Sequence, residues 1–398
     1  MFQATNDSPS LDLICLSHLR WNFVFQRPQH LMTRCAREYR VFFVEEPIFQ
    51  DEITPHMQIE HAGLVRVVVP YLPTGMSTEE AIAAQRELLD QHMDAEQISE
   101  YVLWYYTPMA LAFTDHLSAI ALVYDCMDEL SAFKGAPALI KAREAELMQR
   151  ASLVLTGGQS LFDAKRHQHA NIHPCPSSVD VTHFAQARHI TTDPQDQKTI
   201  PHPRLGFFGV IDERFDRELL DQIASKRPDW HFVMIGPVVK IDPESLPKHA
   251  NIHYLGGKKY DELPAYLAGW DVALLLFARN ESTRFISPTK TPEYLAAGKP
   301  VISTSIRDVV RPYGELKLVE IADTPDDFIR AAEMILSQSM DDDWLERVDS
   351  YIGNLSWDKT WAQMASLIDK VVQRKRPVKS TKVPLGALGQ QTGAAATP

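Results

Sequence analysis

The segment Glu281 to Ile302, ESTRFISPTKTPEYLAAGKPVI, holds the densest set of chemically useful residues in the chain. A loop through Ser287, Pro288 and Thr289 runs into a short helix with Pro292 near its start, and Gly298 stops that helix before an apolar strand. Free N–H groups at a helix start attract an anion. Lys290 adds a positive charge that suits a diphosphate, and Glu293, in the first turn, can accept two hydrogen bonds from a ribose. The plainer reading makes Glu293 a carboxylate complementing the helix dipole and Lys290 a solvated charge. Three further loops extend the pattern. Gly209 opens a strand-to-helix loop carrying Arg214, whose guanidinium can meet a diphosphate with two parallel hydrogen bonds or can pair with Asp212 or Glu213. Gly236, Leu255 and Gly256 end two more apolar runs, and the glycines allow a flat base to lie against backbone.

The first half offers a different set. The loop Ser17 to His30 is long, aromatic and basic, and His18, Arg20, Trp21, Phe25, Gln26 and Arg27 are its candidates for binding an acceptor or a phosphate. Trp21 and Phe25 equally suit a hydrophobic plug. After another apolar run comes Asp125-Cys126-Met127-Asp128-Glu129, where Asp125 and Asp128 are candidates for orienting a hydroxyl or taking its proton. Asp128 could instead cap the following helix. Gly157-Gly158 permits close backbone approach to a ligand.

Such loops need a frame that brings them together. Short, uniformly apolar runs such as Leu11 to Leu16, Val41 to Val44, Tyr101 to Tyr105 and Leu153 to Thr156 read as strands buried on both faces. Helical stretches separate them, including Pro28 to Glu38, Ser77 to His92 and Ala136 to Arg150. The alternation breaks in the polar, proline-bearing stretch before Arg204 and then restarts. The expected class is α/β, with two doubly wound Rossmann-like domains facing a cleft. Residues 1–188 form the first domain, 189–203 a linker or hinge, 204–372 the second domain with the final helix, and 373–398 a disordered basic tail. Ligands in such folds bind beyond the carboxyl ends of the strands. The first strand is not followed by GxGxxG, which argues against a nicotinamide reductase.

Composition removes other classes. With 40 basic and 52 acidic residues the net charge is −12, unsuited to gripping a nucleic-acid backbone. The four cysteines are scattered, form no CxxC pair and predict neither a zinc site nor disulfides. No signal peptide is expected in Met1 to Ser10, and no apolar run reaches the roughly 18 residues of a membrane span. The expectation is a cytoplasmic protein, with a peripheral contact at the inner membrane face through the basic tail as the alternative to a solvated tail.

Lys290 to Val301 resembles the K-x-x-E-Y-x-A-x-G-x-P-V pattern of the GT-B glycosyltransferases of family 4, the glycosyl transferases group 1. Arg204 to Gly209 is similar to the first strand of their nucleotide domain, Val179 to Phe184 to the junction closing their acceptor domain, and Ser356-Trp357 to the start of their last helix. WNFVFQRPQHLM and RVFFVEEP resemble a bacterial surface-polysaccharide subgroup. The resemblance implies a transferase that moves a sugar from a nucleotide-sugar, here expected to be a UDP-sugar, to a glycan or lipid-linked acceptor with retention. It implies no cofactor and no metal, Glu293 on the ribose, and Arg214 and Lys290 neutralising the leaving diphosphate; Asp125 and Asp128, read from their place after a strand, complete the expected catalytic set. The chain departs from the family at three places: Phe285 stands where the first of two glutamates is usual, Val210 follows Gly209 where arginine is common, and the first loop is not glycine-rich. Two alternatives share the architecture: a nucleotide-sugar 2-epimerase, and a non-catalytic glycan- or nucleotide-binding partner.

Overall fold

The computed structural model describes residues 11–338 and 342–376, so the segment Met1 to Ser10 and the part of the expected tail from 377 onward lie outside the described residues, while residues 373–375, expected to open that tail, continue the helix Trp357–Lys375. Among the described residues two sheets form. The first contains β1 (Asp12–Ser17), β2 (Arg40–Glu45), β3 (Ile48–Gln50), β4 (His56–Ala62), β5 (Val65–Pro73), β6 (Tyr101–Tyr105), β7 (Ala121–Cys126), β8 (Leu153–Thr156) and β9 (Ile172–Pro174). Its order is β3-β5-β2-β1-β6-β7-β8-β9, with β4 on β5. The second contains β10 (Arg204–Phe208), β11 (His231–Ile235), β12 (Ile252–Gly256), β13 (Val272–Leu275), β14 (Val301–Ser303) and β15 (Glu320–Ile321), in the order β12-β11-β10-β13-β14-β15.

The strands expected from apolar runs are parallel and buried, and β1, β6 and β8 are buried at every residue. The hairpin arm β4 was invisible to that criterion because its sequence, HMQIEHA, is mostly exposed; it lies antiparallel on β5 at the sheet edge. One wet face suits an antiparallel edge and not a covered parallel strand.

Two expectations about domain organisation need correction. The final helix, Trp357–Lys375, does not complete the second domain. Trp357, Trp361, Met364 and Ile368 are buried in the core of the first sheet with Leu13, Val41 and Trp104. Arg34 and Arg37, which follow Arg27 along the same helix and just beyond it, both bind Asp358 and fasten the join. The expected first-domain end at 188 and free linker at 189–203 are also revised. Val179, Phe184, Ala187 and Ile200 already belong to the core of the second sheet. The polar stretch is tied down as well: Gln197 is fully buried, accepts from Trp270 Nε1 at 3.0 Å and donates to the Tyr266 carbonyl at 3.0 Å, and Asp193 pairs with Arg204 at 2.8 Å. Polarity marked that stretch as a loop, but its side chains satisfy buried partners of the second domain.

The four cysteines are free and buried. Among the described residues no helix is long and apolar enough to cross a membrane.

Candidate active site

A cleft opens between the carboxyl ends of the two sheets. The second domain lines it with Phe207 to Val210, Asp212, Arg214, Tyr260, Ile286 to Lys290 and Glu293, and the first with Val24 to Arg27, Met127, Asp128, Gly157 and Ser177.

The helix Lys290–Ala296 is built as the sequence implied. Gly298 adopts φ +71°, its N–H donates to the Leu295 carbonyl at 2.8 Å, and the Lys299 N–H donates to the Tyr294 carbonyl at 3.0 Å. That pair of bonds needs a left-handed residue just past the helix, which glycine supplies without strain. Tyr294 fixes the other end of the geometry: it is fully buried and its hydroxyl accepts from the Phe208 N–H at 3.0 Å, tying this helix to the end of β10.

Lys290 and Glu293 therefore face the cleft from a rigid support. The lysine stem crosses Gly209, which has φ +136°; a Cβ there would lie 2.1 Å from Lys290 Cε, so only glycine leaves the path open. Lys290 makes no hydrogen bond or ion pair with any described residue. Its ammonium lies 5.7 Å from the ring centre of Phe207 and 5.9 Å from that of Phe277. Burial lowers its pKa, opposed by Glu293. Glu293 is only 7% exposed, and its carboxylate accepts no hydrogen bond from a described residue. Burial pushes its pKa up to about 7, with Lys290 pulling the other way. An unpaired carboxylate and an unpaired ammonium held this close to the interior are costly to fold and suit a polar ligand.

Arg214 also reaches the cleft, but with a partner. Its guanidinium binds Asp212 at 2.6 and 3.0 Å and stacks 5.1 Å from the ring centre of Phe133, a residue of the first domain. The structure shows the pairing with Asp212, and that pair holds the guanidinium at the cleft wall. Asp128 stands on the opposite wall, half-buried and free of hydrogen bonds through its carboxylate; burial raises its pKa, while Arg214, Arg27 and Lys290 oppose the rise. Ser287, Pro288 and Thr289 line the cleft as expected.

Several expected site residues are elsewhere. Asp125 is fully buried and grips Arg27 with two hydrogen bonds, Nη2–Oδ1 at 2.8 Å and Nε–Oδ2 at 3.0 Å; Arg27 adds one to the Cys175 carbonyl at 2.8 Å. Arg27 reaches the cleft floor, but its donors are spent on β7 and the chain after β9, so neither residue is available to a substrate. Arg20 turns onto the β2–β3 connection, binding Glu45 at 2.9 Å and the Pro47 carbonyl at 3.1 Å. Trp21 packs edge-on against Phe43 at 5.0 Å, which is the plug reading. His18 does not line the cleft; burial lowers its pKa to about 4, so it is neutral at pH 7. Gly236, Leu255 and Gly256 do not line it either. The Gly236 N–H donates to the Gly256 carbonyl at 2.9 Å, and a Cβ on Gly236 would come 1.8 Å from the Gly209 carbonyl oxygen, so these glycines bring strand ends together. Phe25 and Gln26 do line the cleft.

Sequence reasoning missed Tyr260. It lines the cleft, stacks on His183 at 4.2 Å, meets Phe25 of the first domain at 4.6 Å, and has a buried hydroxyl without a partner. A lone tyrosine after Gly-Gly-Lys-Lys carries no signal of that kind.

The glycosyl transferases group 1 family model matches residues 202–338, the part that carries Gly209, Arg214, Lys290 and Glu293. Residues 202–338 thus carry a glycosyl transferases group 1 domain, and the fold of the chain is of the GT-B type. It is 26% identical over 303 residues, 70% of this chain and 74% of the relative, to TuaH of Bacillus subtilis (strain 168), whose name assigns it to teichuronic acid biosynthesis as a glycosyltransferase. Sucrose-phosphate synthase from Thermosynechococcus elongatus has a similar fold, with a TM-score of 0.68, 14% identity, and coverage of 92% of this chain and 100% of that one. Anabaena HepE, solved with UDP and glucose, has a TM-score of 0.60, 14% identity, and coverage of 90% of this chain and 99% of that one.

Proposed function

We propose that this glycosyltransferase binds a UDP-sugar on its second domain and passes the sugar, with retention and without a metal, to a glycan or lipid-linked acceptor held by the first, in surface-polysaccharide biosynthesis. The observation that carries the reading is the unpaired couple Lys290 and Glu293 facing the cleft beside Arg214. In this reading Glu293, ionised, accepts the two ribose hydroxyls. Lys290 and Arg214 meet the diphosphate, whose leaving oxygen gains negative charge as the bond to the sugar breaks. Fixed cations at that oxygen stabilise the transition state more than the ground state. The acceptor hydroxyl attacks on the face the diphosphate leaves, and its proton passes to the leaving oxygen. Asp128, on the opposite wall, orients that hydroxyl; Asp125 has no part, being committed to Arg27. The TuaH likeness supports a surface-polymer acceptor, and HepE, similar in fold and solved with UDP and glucose, supports uridine as the donor base.

Calorimetry with UDP, GDP and ADP tests the reading, with Glu293→Ala alongside. UDP is expected to bind and to lose most of its affinity in the variant. Absence of binding by all three diphosphates would sink the proposal.

A further inference from the structure

Gly157-Gly158 looked, by sequence, like an approach to a ligand. Its actual neighbour at Gly158 is the other domain. A Cβ on Gly158 would lie 2.3 Å from Asp308 Oδ2 and 2.6 Å from Ser287 Cβ, and both residues belong to the second domain. Ser287 itself lines the cleft, one turn of loop before Lys290. Gly158 also begins the first-domain helix Gln159–Lys165, which has no side-chain cap of its own. The missing cap comes from Asp308, which follows β14 and is 8% exposed: its Oδ1 and Oδ2 accept from the Ser160 N–H at 3.0 and 3.4 Å. A carboxylate at a helix start satisfies an orphan donor and complements the dipole. Beside it Arg307 pairs with Asp163 on the same helix. Phe285 completes the contact. The residue that replaces the usual glutamate is absent from the cleft lining and joins a first-domain core cluster that includes Leu161 and Phe162.

We propose that Asp308, docked on Gly158 and Ser160, is a positioning residue that sets the Ser287–Lys290 loop against the first domain in the geometry needed for transfer, with Phe285 as its hydrophobic plug. The proposal rests on the transferase reading for its kinetic part and not for its structural part. Gly158, at the helix start that Asp308 caps, backs directly onto Ser287, so the loop carrying Lys290 is held at one end by Tyr294 within its own domain and at the other by first-domain backbone. Because Asp308 touches none of the cleft-lining charges through a hydrogen bond, its loss should spare nucleotide binding and penalise turnover.

The test combines two measurements on the full chain. Pulsed EPR between spin labels at Glu87→Cys and Glu218→Cys, both exposed positions on different domains, reads the interdomain distance. Kinetics and calorimetry with UDP read function. The parent is expected to give one narrow distance distribution, which Asp308→Ala and Gly158→Ala broaden. In both variants kcat should fall at least tenfold while UDP affinity stays within about twofold. Asp308→Asn, which keeps an oxygen for the Ser160 N–H, should restore most of both. A narrow, parent-like distribution in both Asp308→Ala and Gly158→Ala overturns the proposal, as does a tenfold loss that Asp308→Asn fails to recover. If the parent binds no nucleotide diphosphate, the transferase reading fails while the distance measurement still decides the dock. Should one variant fail to fold, the other carries the test, because they break the same contact from opposite sides.

Discussion

In the first domain, at or after the carboxyl ends of β1 and β7, Arg20, Arg27, Asp125 and Glu129 each have an ionic partner inside the protein, whereas on the second-domain wall of the cleft Lys290 and Glu293 have no hydrogen bond from any described residue. By residue type and loop position the two groups look alike. Their difference is one of satisfaction. A buried charge with a geometrically sound partner serves the scaffold, and removing the partner is what hurts. A buried charge without one lowers stability in the free protein and is retained where a ligand completes it. The C-terminal wall is in this sense unfinished and the N-terminal wall largely closed, except at Asp128.

Perturbing both walls would sharpen or break that contrast. The largest effect is expected at Arg27→Met, which leaves Asp125 buried and uncompensated: stability should fall by about 3–5 kcal/mol, read from a urea midpoint, while kcat per folded molecule is kept. A midpoint unchanged by the substitution would show that the pair is not structural. Next is Lys290→Ala, expected to lower kcat by about 10²–10³, roughly 3–4 kcal/mol of transition-state stabilisation, with the urea midpoint no lower than the parent's. A fall in stability instead would place Lys290 with the scaffold charges.

Glu293→Gln tests the same contrast through pH. The native carboxyl titrates at about 7 and its ordinary value is 4.5, so between those values the native state binds more protons than the unfolded one. Stability from this group therefore falls as pH rises through that window. The glutamine variant should be more stable than the parent by about 3 kcal/mol at pH 8, with the advantage gone below pH 4.5, as thermal melts at both ends would reveal. A parent as stable as the variant at pH 8 would mean that Glu293 has an internal partner after all. The smallest effect is expected at Arg20→Ala: its pair with Glu45 is more than a third exposed on the arginine side, so the loss should stay under about 1 kcal/mol, with the acceptor KM unchanged. A tenfold rise in KM would return Arg20 to the substrate.

The same contrast explains what could be read from the sequence. The two-sheet frame was legible because buried parallel strands are apolar throughout, as in LDLICL and YVLWY. The helix at Lys290 was legible because its stop signal, Gly298, and its polar groups fall within a dozen residues. Partners distant in sequence were not legible. Asp125 meets Arg27 across 98 positions, and Asp308 meets Ser160 across 148. Residue type alone cannot tell a charge already paired from one held ready. The final helix misled for a related reason: its amphipathic period said that it would bury a face but not against which domain.

That helix has a consequence for biosynthesis. Since Trp357, Trp361 and Ile368 share a core with β1, the first domain lacks part of its interior until residues 357–375 have left the ribosome. The second domain, whose core is drawn from residues 179–352, can close earlier. Order of synthesis and order of completion are thus reversed in this chain. A nascent chain arrested before Ser356 should present a finished second domain beside a first domain with an open apolar groove, the form in which a chaperone would meet it.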